Sequence, residues 1–183
     1  LEPSADSTLG IFTFPRPLEG DPWTGPLVRN DIPVIGSFGF GTPGKGFELL
    51  VEAVNREFER AIVRINIPRG TYVSSDDRHK QDYPRYIESI CKKIAKPGVD
   101  VRFTFDFMPR EELVSWCAEN DINCFMYTRA QPGLSATTDQ AITSGRPLLT
   151  LSNDTFRHIH RYIAPYPVIG LRQAISTTTP QVA

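Results

Sequence analysis

Two turns hold the residues whose types and spacing could do chemistry. The first is Val34-Ile-Gly-Ser-Phe-Gly39-Phe-Gly41-Thr-Pro-Gly44-Lys45-Gly46-Phe47, where a short apolar run gives way to closely spaced glycines and one lysine. Glycine allows positive φ and close approach of backbone to a ligand. A helix beginning near Phe47 would aim its unpaired amides and positive dipole end into the same space. With the charge of Lys45 added, this is a cradle for an anion such as phosphate; the competing reading is a strand-to-helix turn that needs glycine and binds nothing. The second turn is Ser135-Ala-Thr137-Thr138-Asp139, with small side chains, hydroxyls and the start of a short helix closed by Gly145. Capping by Ser135 or a neighbouring threonine is expected there. Asp139 is placed to accept from ribose or sugar hydroxyls, although dipole compensation explains it as well.

Three nucleotide-binding arrangements compete for the first turn. Gly39-Phe-Gly41-Thr-Pro-Gly44 has the G-x-G-x-x-G spacing of a dinucleotide turn between a strand and a helix. The acidic residue that would hold the ribose is missing, since Pro68-Arg69 stands near the end of the second strand. Gly39-x4-Gly44-Lys45 comes close to a P-loop, but Gly46 occupies the place of the Ser or Thr that meets magnesium. The third arrangement asks only for the turn, the lysine and a second anion site further on, which the 135–139 segment supplies.

Other chemistry is sparse. His158 and His160 form an H-x-H pair without acidic or thiolate companions at ligand spacing, so no metal and no cofactor are expected. Cys91, Cys117 and Cys124 make no C-x-x-C pair and sit in apolar segments, as buried free thiols of a reducing compartment do. A cytoplasmic location follows, or one peripheral to a membrane in a longer protein. The 183 residues are 40% hydrophobic and 22% charged, with net charge -1. That near-neutral balance argues against a nucleic-acid surface. No apolar run approaches the ~20 residues of a membrane span.

The elements that must position the two turns follow from periodicity. Prolines at 3, 15, 17, 22, 26 and 33 make residues 1–33 an extended linker, with Ile11-Phe-Thr-Phe14 its one strand candidate and Trp23 an anchor. From Val34 strands and helices alternate through residue 175. Phe47, Leu50, Val51, Val54 and Phe58 mark one buried helix face, Ala61–Ile67 a strand, and Ile87, Ile90, Cys91 and Ile94 a second helix. Residues 69–82 read as a polar surface loop. Val99, Val101, Phe103, Phe105 and Phe107 alternate with polar residues, as on a half-exposed edge strand. Pro109, with Glu111 and Glu112, opens a helix carrying Leu113 and Trp116; Ile122–Tyr127 and Pro147–Leu151 are further strands. Strands joined by single helices predict an α/β, Rossmann-like three-layer sandwich with a parallel sheet. Residues 176–183 read as a tail or a helix cut short, and the chain as a piece of a longer protein.

The two turns, in this order and spacing, resemble the C-terminal, nucleotide-sugar-binding half of GT-B glycosyltransferases, in particular the family-4-like retaining group. The resemblance runs from Val34 to Ile175. It rests on the strand leading to Gly39 through Gly46 with Lys45 as the turn's lysine, and on Gln131-Pro-Gly-Leu-Ser-Ala-Thr-Thr-Asp139-Gln-Ala-Ile-Thr-Ser-Gly145-Arg-Pro147. Asn153–Ile159 is similar to the helix that follows the next strand. The resemblance implies a donor-binding domain. Gly39, Gly41, Lys45, Gly46, Ser135, Thr137 and Thr138 would bind the diphosphate and ribose or sugar, and Gln131 and Asp139, or with a one-residue gap the neighbourhood of Gln140, would stand at the family's two catalytic glutamates. The sugar would pass, with retention, to a glycan or lipid-linked acceptor held against an N-terminal domain, without metal. Phe40 replaces the family's arginine, for which Arg129, Arg146 or Arg157 would substitute, Arg157 first; Gln131 cannot ionise. A non-catalytic GT-B-like binding domain and a nucleotide-cofactor oxidoreductase domain are the alternatives.

Overall fold

A sheet whose central strand is buried on both faces needs a helical layer on each side, and the chain supplies both. The computed structural model describes residues 5–6, 11–12, 21–27, 29–68, 83–129 and 133–177. A short antiparallel pair, β1 (Ala5–Asp6) and β2 (Ile11–Phe12), precedes the main sheet. That sheet contains β3 (Val34–Phe38), β4 (Ala61–Asn66), β5 (Val99–Thr104), β6 (Ile122–Phe125) and β7 (Leu148–Thr150). All pairings are parallel, in the order β5-β4-β3-β6-β7. The helices are α1 (Phe47–Glu57), α2 (Tyr83–Ile94), α3 (Arg110–Ala118), α4 (Thr137–Thr143) and α5 (Leu171–Thr177). The α/β Rossmann-like class expected from the alternation is the class observed.

Burial follows strand position. β3, at the centre, is buried along all five residues, whereas edge strand β5 alternates buried and exposed positions. One face of the sheet is covered by α1, α2 and α5: Phe47, Leu50, Val51 and Val54 meet Ile87, Cys91 and Leu171 over Ile35, Val63 and Ile65. Each such fully buried side chain contributes about 1.5–3 kcal/mol. The other face carries Phe38, Trp116, Cys117, Phe125, Tyr127, Ala141 and Phe156. Phe38 stands edge-on to both Trp116 (6.1 Å) and Phe125 (5.2 Å), the arrangement ring quadrupoles favour.

Three local expectations change. The edge strand ends at Thr104 rather than Phe107, and Phe107 is exposed. Residues 153–159 form no α-helix. Asn153 is extended and its side chain accepts from the Thr155 amide at 2.9 Å, so the chain closes into a 3-10 turn over Asp154–Phe156 instead. α5 runs through Thr177. The expected loop over 69–82 lies outside the described residues.

The amino-terminal end of the sheet is pinned by polar side chains. The Asp121 carboxylate accepts from the Val34 amide at 2.8 Å and from Asn30 Nδ2 at 3.2 Å, and the Trp23 amide donates to the Thr143 carbonyl at 2.8 Å. Asn120 and Asn123, both fully buried, are joined at 2.8 Å; Asn123 donates to the Cys117 carbonyl at 3.2 Å and Arg64 donates to Asn120 Oδ1 at 3.1 Å.

Candidate functional site

Sheet order decides which loops meet. From β3 the chain winds outward through β4 to β5, then returns to the opposite side of β3 as β6 and β7. Winding therefore reverses between β3 and β6, and the crevice beyond the carboxyl ends of those two strands is where open α/β sheets take ligands. The glycine turn follows β3, and Met126-Tyr127 follows β6.

Side chains converge at that crevice. The Lys45 ammonium sits 3.9 Å from the centroid of the Tyr127 ring. The Tyr127 hydroxyl lies 3.3 Å from Thr137 Oγ1, which lies 2.7 Å from Ser135 Oγ. A Cβ added at Gly39 would stand 3.5 Å from the Tyr127 hydroxyl and 3.8 Å from Thr137 Cγ2. Gly39, Lys45, Ser135 and Thr137 thus come together, as the two-turn reading requires, around a tyrosine that reading did not single out. Its position just past β6, beside the strand that feeds the glycine turn, is the signal that could have found it.

The glycines divide by what surrounds them. Gly46 precedes α1 with φ 68, and a Cβ there would fall 1.9 Å from the Met126 carbonyl oxygen. Gly41 has Ile67 and Pro84 in the way, at 2.9 and 3.0 Å. Both are glycine because protein occupies the space. Gly39, with φ 146 and no contact closer than 3.5 Å, is the one whose missing side chain opens toward Tyr127 and Thr137.

The second turn differs from its expected capping. Ala136 precedes α4 in helical backbone conformation, and no side chain caps the helix. The hydroxyls are engaged elsewhere: Ser135 with Thr137, and Thr138 as donor to the Ser135 carbonyl at 2.9 Å. Thr138 Oγ1 also lies 3.0 Å from His158 Nε2. Thr138 and Asp139 are buried, at 0% and 3% exposure, whereas Thr137 is half-buried at the crevice. Gln131 lies outside the described residues.

The three candidate arginines part company. Arg146 belongs to the opposite end of the sheet, where its Nε donates to the Ala118 carbonyl at 2.7 Å; desolvation lowers its pKa. Arg157 is exposed and donates to the Asp154 carbonyl of its own turn at 2.8 Å. Arg129 borders the glycine turn: its Cβ is 2.6 Å from where a Gly44 Cβ would stand, and its neighbour Thr128 donates to the Gly44 carbonyl at 3.0 Å. Among the described residues no group of three His, Cys, Asp or Glu could hold a metal ion. His160 shares Nε2 with Thr150 Oγ1 and the Leu151 carbonyl, each at 3.2 Å. Clefts of ≈ 520 and ≈ 410 Å³ open at the amino-terminal end of the sheet, lined by Arg64, Glu119 and Arg102, far from the crevice the topology selects. The meeting of Lys45 and Thr137 around Tyr127 is the better guide, because in those two clefts Arg64 is paired with Glu119 at 2.9 Å and Arg102 with Asp100 at 2.7 Å.

No protein-family model and no curated protein sequence matches the chain. Solved structures do. A UDP-forming α,α-trehalose-phosphate synthase from Burkholderia xenovorans in complex with glucose-6-phosphate matches 82% of this chain at TM-score 0.57 and 12% identity. An E. coli trehalose-6-phosphate protein bound with UDP-2-fluoro glucose matches 81% at TM-score 0.55 and 14% identity. The fold is that of a GT-B C-terminal domain. Sucrose-phosphate synthase from Thermosynechococcus elongatus shares it over 67% of this chain, at TM-score 0.50 and 15% identity. The chain spans only 36%, 35% and 28% of the length of those three proteins. Within the described residues no helix is long and apolar enough to cross a membrane.

Proposed function

We propose that this domain binds the diphosphate of a nucleotide sugar and acts as the donor-binding half of a retaining glycosyltransferase. The observation that carries the proposal is the meeting of Lys45, Gly39 and Thr137 at the point where the sheet winding reverses. In this reading Lys45 offsets the diphosphate charge, the backbone at Gly39 lets it approach, and the half-buried Thr137 hydroxyl, backed by Ser135 Oγ at 2.7 Å, turns to bond its oxygens. Arg129 is the second cation, in place of the arginine that Phe40 displaces. The leaving diphosphate is then stabilised by fixed donors and cations, which serve best where charge develops. The fold relatives named UDP-forming make UDP the first nucleotide to test. Transfer would need an acceptor-binding domain across the crevice, for a glycan or lipid-linked acceptor.

Two observations favour a second reading of the same site, nucleotide-sugar binding without turnover. Asp139 is almost wholly buried, and position 131 holds an amide that cannot titrate. Calorimetric titration with UDP, GDP, ADP and NAD tests the site common to both. Saturable UDP binding weakened about 10- to 150-fold in Lys45→Ala, the equivalent of losing a charge-assisted hydrogen bond of ~1.5–3 kcal/mol, is the expected result. An unchanged dissociation constant in that variant, or selective binding of NAD, would sink the proposal. Release of free sugar or its transfer from UDP-sugar by the domain with its acceptor half would decide between turnover and binding alone.

A further inference from the structure

Lysine is a flexible cation on four rotatable bonds, and immobilising it opposes binding. Here that immobilisation is already done. The Lys45 ammonium rests on the face of Tyr127 at 3.9 Å, and among the described residues no carboxylate pairs with it. The ring beneath is itself fixed from several sides. Tyr127 is 3% exposed, its ring centroid lies 4.8 Å from that of Phe156 and 6.1 Å from that of Phe125, and its carbonyl accepts from Asn153 Nδ2 at 3.1 Å. Its hydroxyl reaches Thr137 Oγ1 at 3.3 Å, which ties the ring to the start of α4.

An aromatic face attracts a cation but accepts no full hydrogen bonds, so the ammonium keeps donors to offer an incoming oxyanion. We infer that Tyr127 is the positioning residue of the site: it holds Lys45 in one place, in the free and the nucleotide-bound protein alike, so that the diphosphate meets a cation already ordered. This rests on the donor-binding reading and extends it, because it assigns the site's affinity partly to a residue that need not touch the ligand. Tyr127 acts through Lys45, the ring by the cation–π contact and the hydroxyl only by steadying the ring.

The test combines a spectroscopic signature with a double-mutant cycle. In proton–carbon NMR of the ligand-free protein, the Lys45 ε-methylene resonance, assigned with Lys45→Arg, should be shifted upfield by the ring current. The shift should survive Tyr127→Phe and UDP addition, and vanish in Tyr127→Leu. Affinity for UDP should change by less than about threefold in Tyr127→Phe and fall about three- to tenfold in Tyr127→Leu, the cost of immobilising one long side chain. In a Lys45→Ala background Tyr127→Leu should cost nothing further. An equal loss in that background would show that Tyr127 serves the fold alone and would overturn the inference, as would an unshifted Lys45 resonance. If wild-type protein fails to bind UDP, the donor reading falls, and the ring-current shift in the ligand-free protein still decides whether Tyr127 holds Lys45.

Discussion

Gly46→Ala separates the structural glycines of the turn from the one that faces the crevice. Gly46 has φ 68, where an L-residue costs about 1–2 kcal/mol. Its added methyl would also stand 1.9 Å from the Met126 carbonyl oxygen and 2.7 Å from its carbonyl carbon. These are backbone atoms between β6 and Tyr127, so no rotamer change relieves the overlap. Overpacking of this kind adds about 1–3 kcal/mol. The expected loss is therefore ~3 kcal/mol. For a chain of this size, at about 2–4 °C per kcal/mol, the melting temperature should fall by ~6–12 °C. Thermal unfolding followed by far-ultraviolet circular dichroism measures it, with Gly39→Ala as the comparison. At Gly39 only the φ of 146 opposes the change, because the nearest atom is 3.5 Å away; its stability loss should be the smaller of the two, while its loss of UDP affinity should be the larger. A Gly46→Ala melting temperature within ~2 °C of wild type would refute the claim that packing dictates this glycine.

Two further outcomes follow from groups away from the crevice. Asn123→Ala leaves the fully buried Asn120 side-chain amide without its acceptor and takes one donor from the Cys117 carbonyl, which keeps the Asn120 backbone amide at 3.2 Å; this should cost about 1–3 kcal/mol in urea unfolding, and a change below ~0.5 kcal/mol would show that the asparagine network contributes nothing. Burial pushes the Cys91 thiol from 9.0 up to about 12, and desolvation raises Cys117 and Cys124 as well. A folded-state pKa above the unfolded one stabilises the fold fully below pH 9 and progressively less as pH climbs from 9 toward 12. Urea midpoints should accordingly decline through that interval, and less steeply in Cys91→Ala, with a flat profile in wild type counting against thiol burial as the cause.

What could be seen in the sequence is what depends on neighbours along the chain. The spacing of Phe47, Leu50, Val51 and Val54 fixes the inner face of α1 without knowledge of anything else, and the alternation through β5 marks an edge before any sheet is drawn. The Lys45–Tyr127 contact depends instead on β3 and β6 lying side by side, and no local period reports strand order. The capping expected of α4 fails for a related reason: Ser135 and the threonines after it are small hydroxyl residues of the kind that cap a helix, but here the hydroxyls of Ser135 and Thr137 meet each other and Thr138 turns back to the Ser135 carbonyl. The three arginines were open to a sharper reading. In a parallel sheet, a residue between the end of a helix and the next strand lies at the amino-terminal end, and one just past a strand lies at the carboxyl end. Arg146, between α4 and β7, is on the wrong side for a ligand of the crevice; Arg129, just past β6, is on the right one. Arg157, past β7, is at the correct end, exposed, with one guanidinium nitrogen donating to the Asp154 carbonyl. Connectivity alone therefore separates Arg146 from the crevice and leaves Arg129 and Arg157 at the carboxyl end of the sheet; in the proposed reading Arg129, whose Cβ borders the glycine turn, is the cation that joins Lys45.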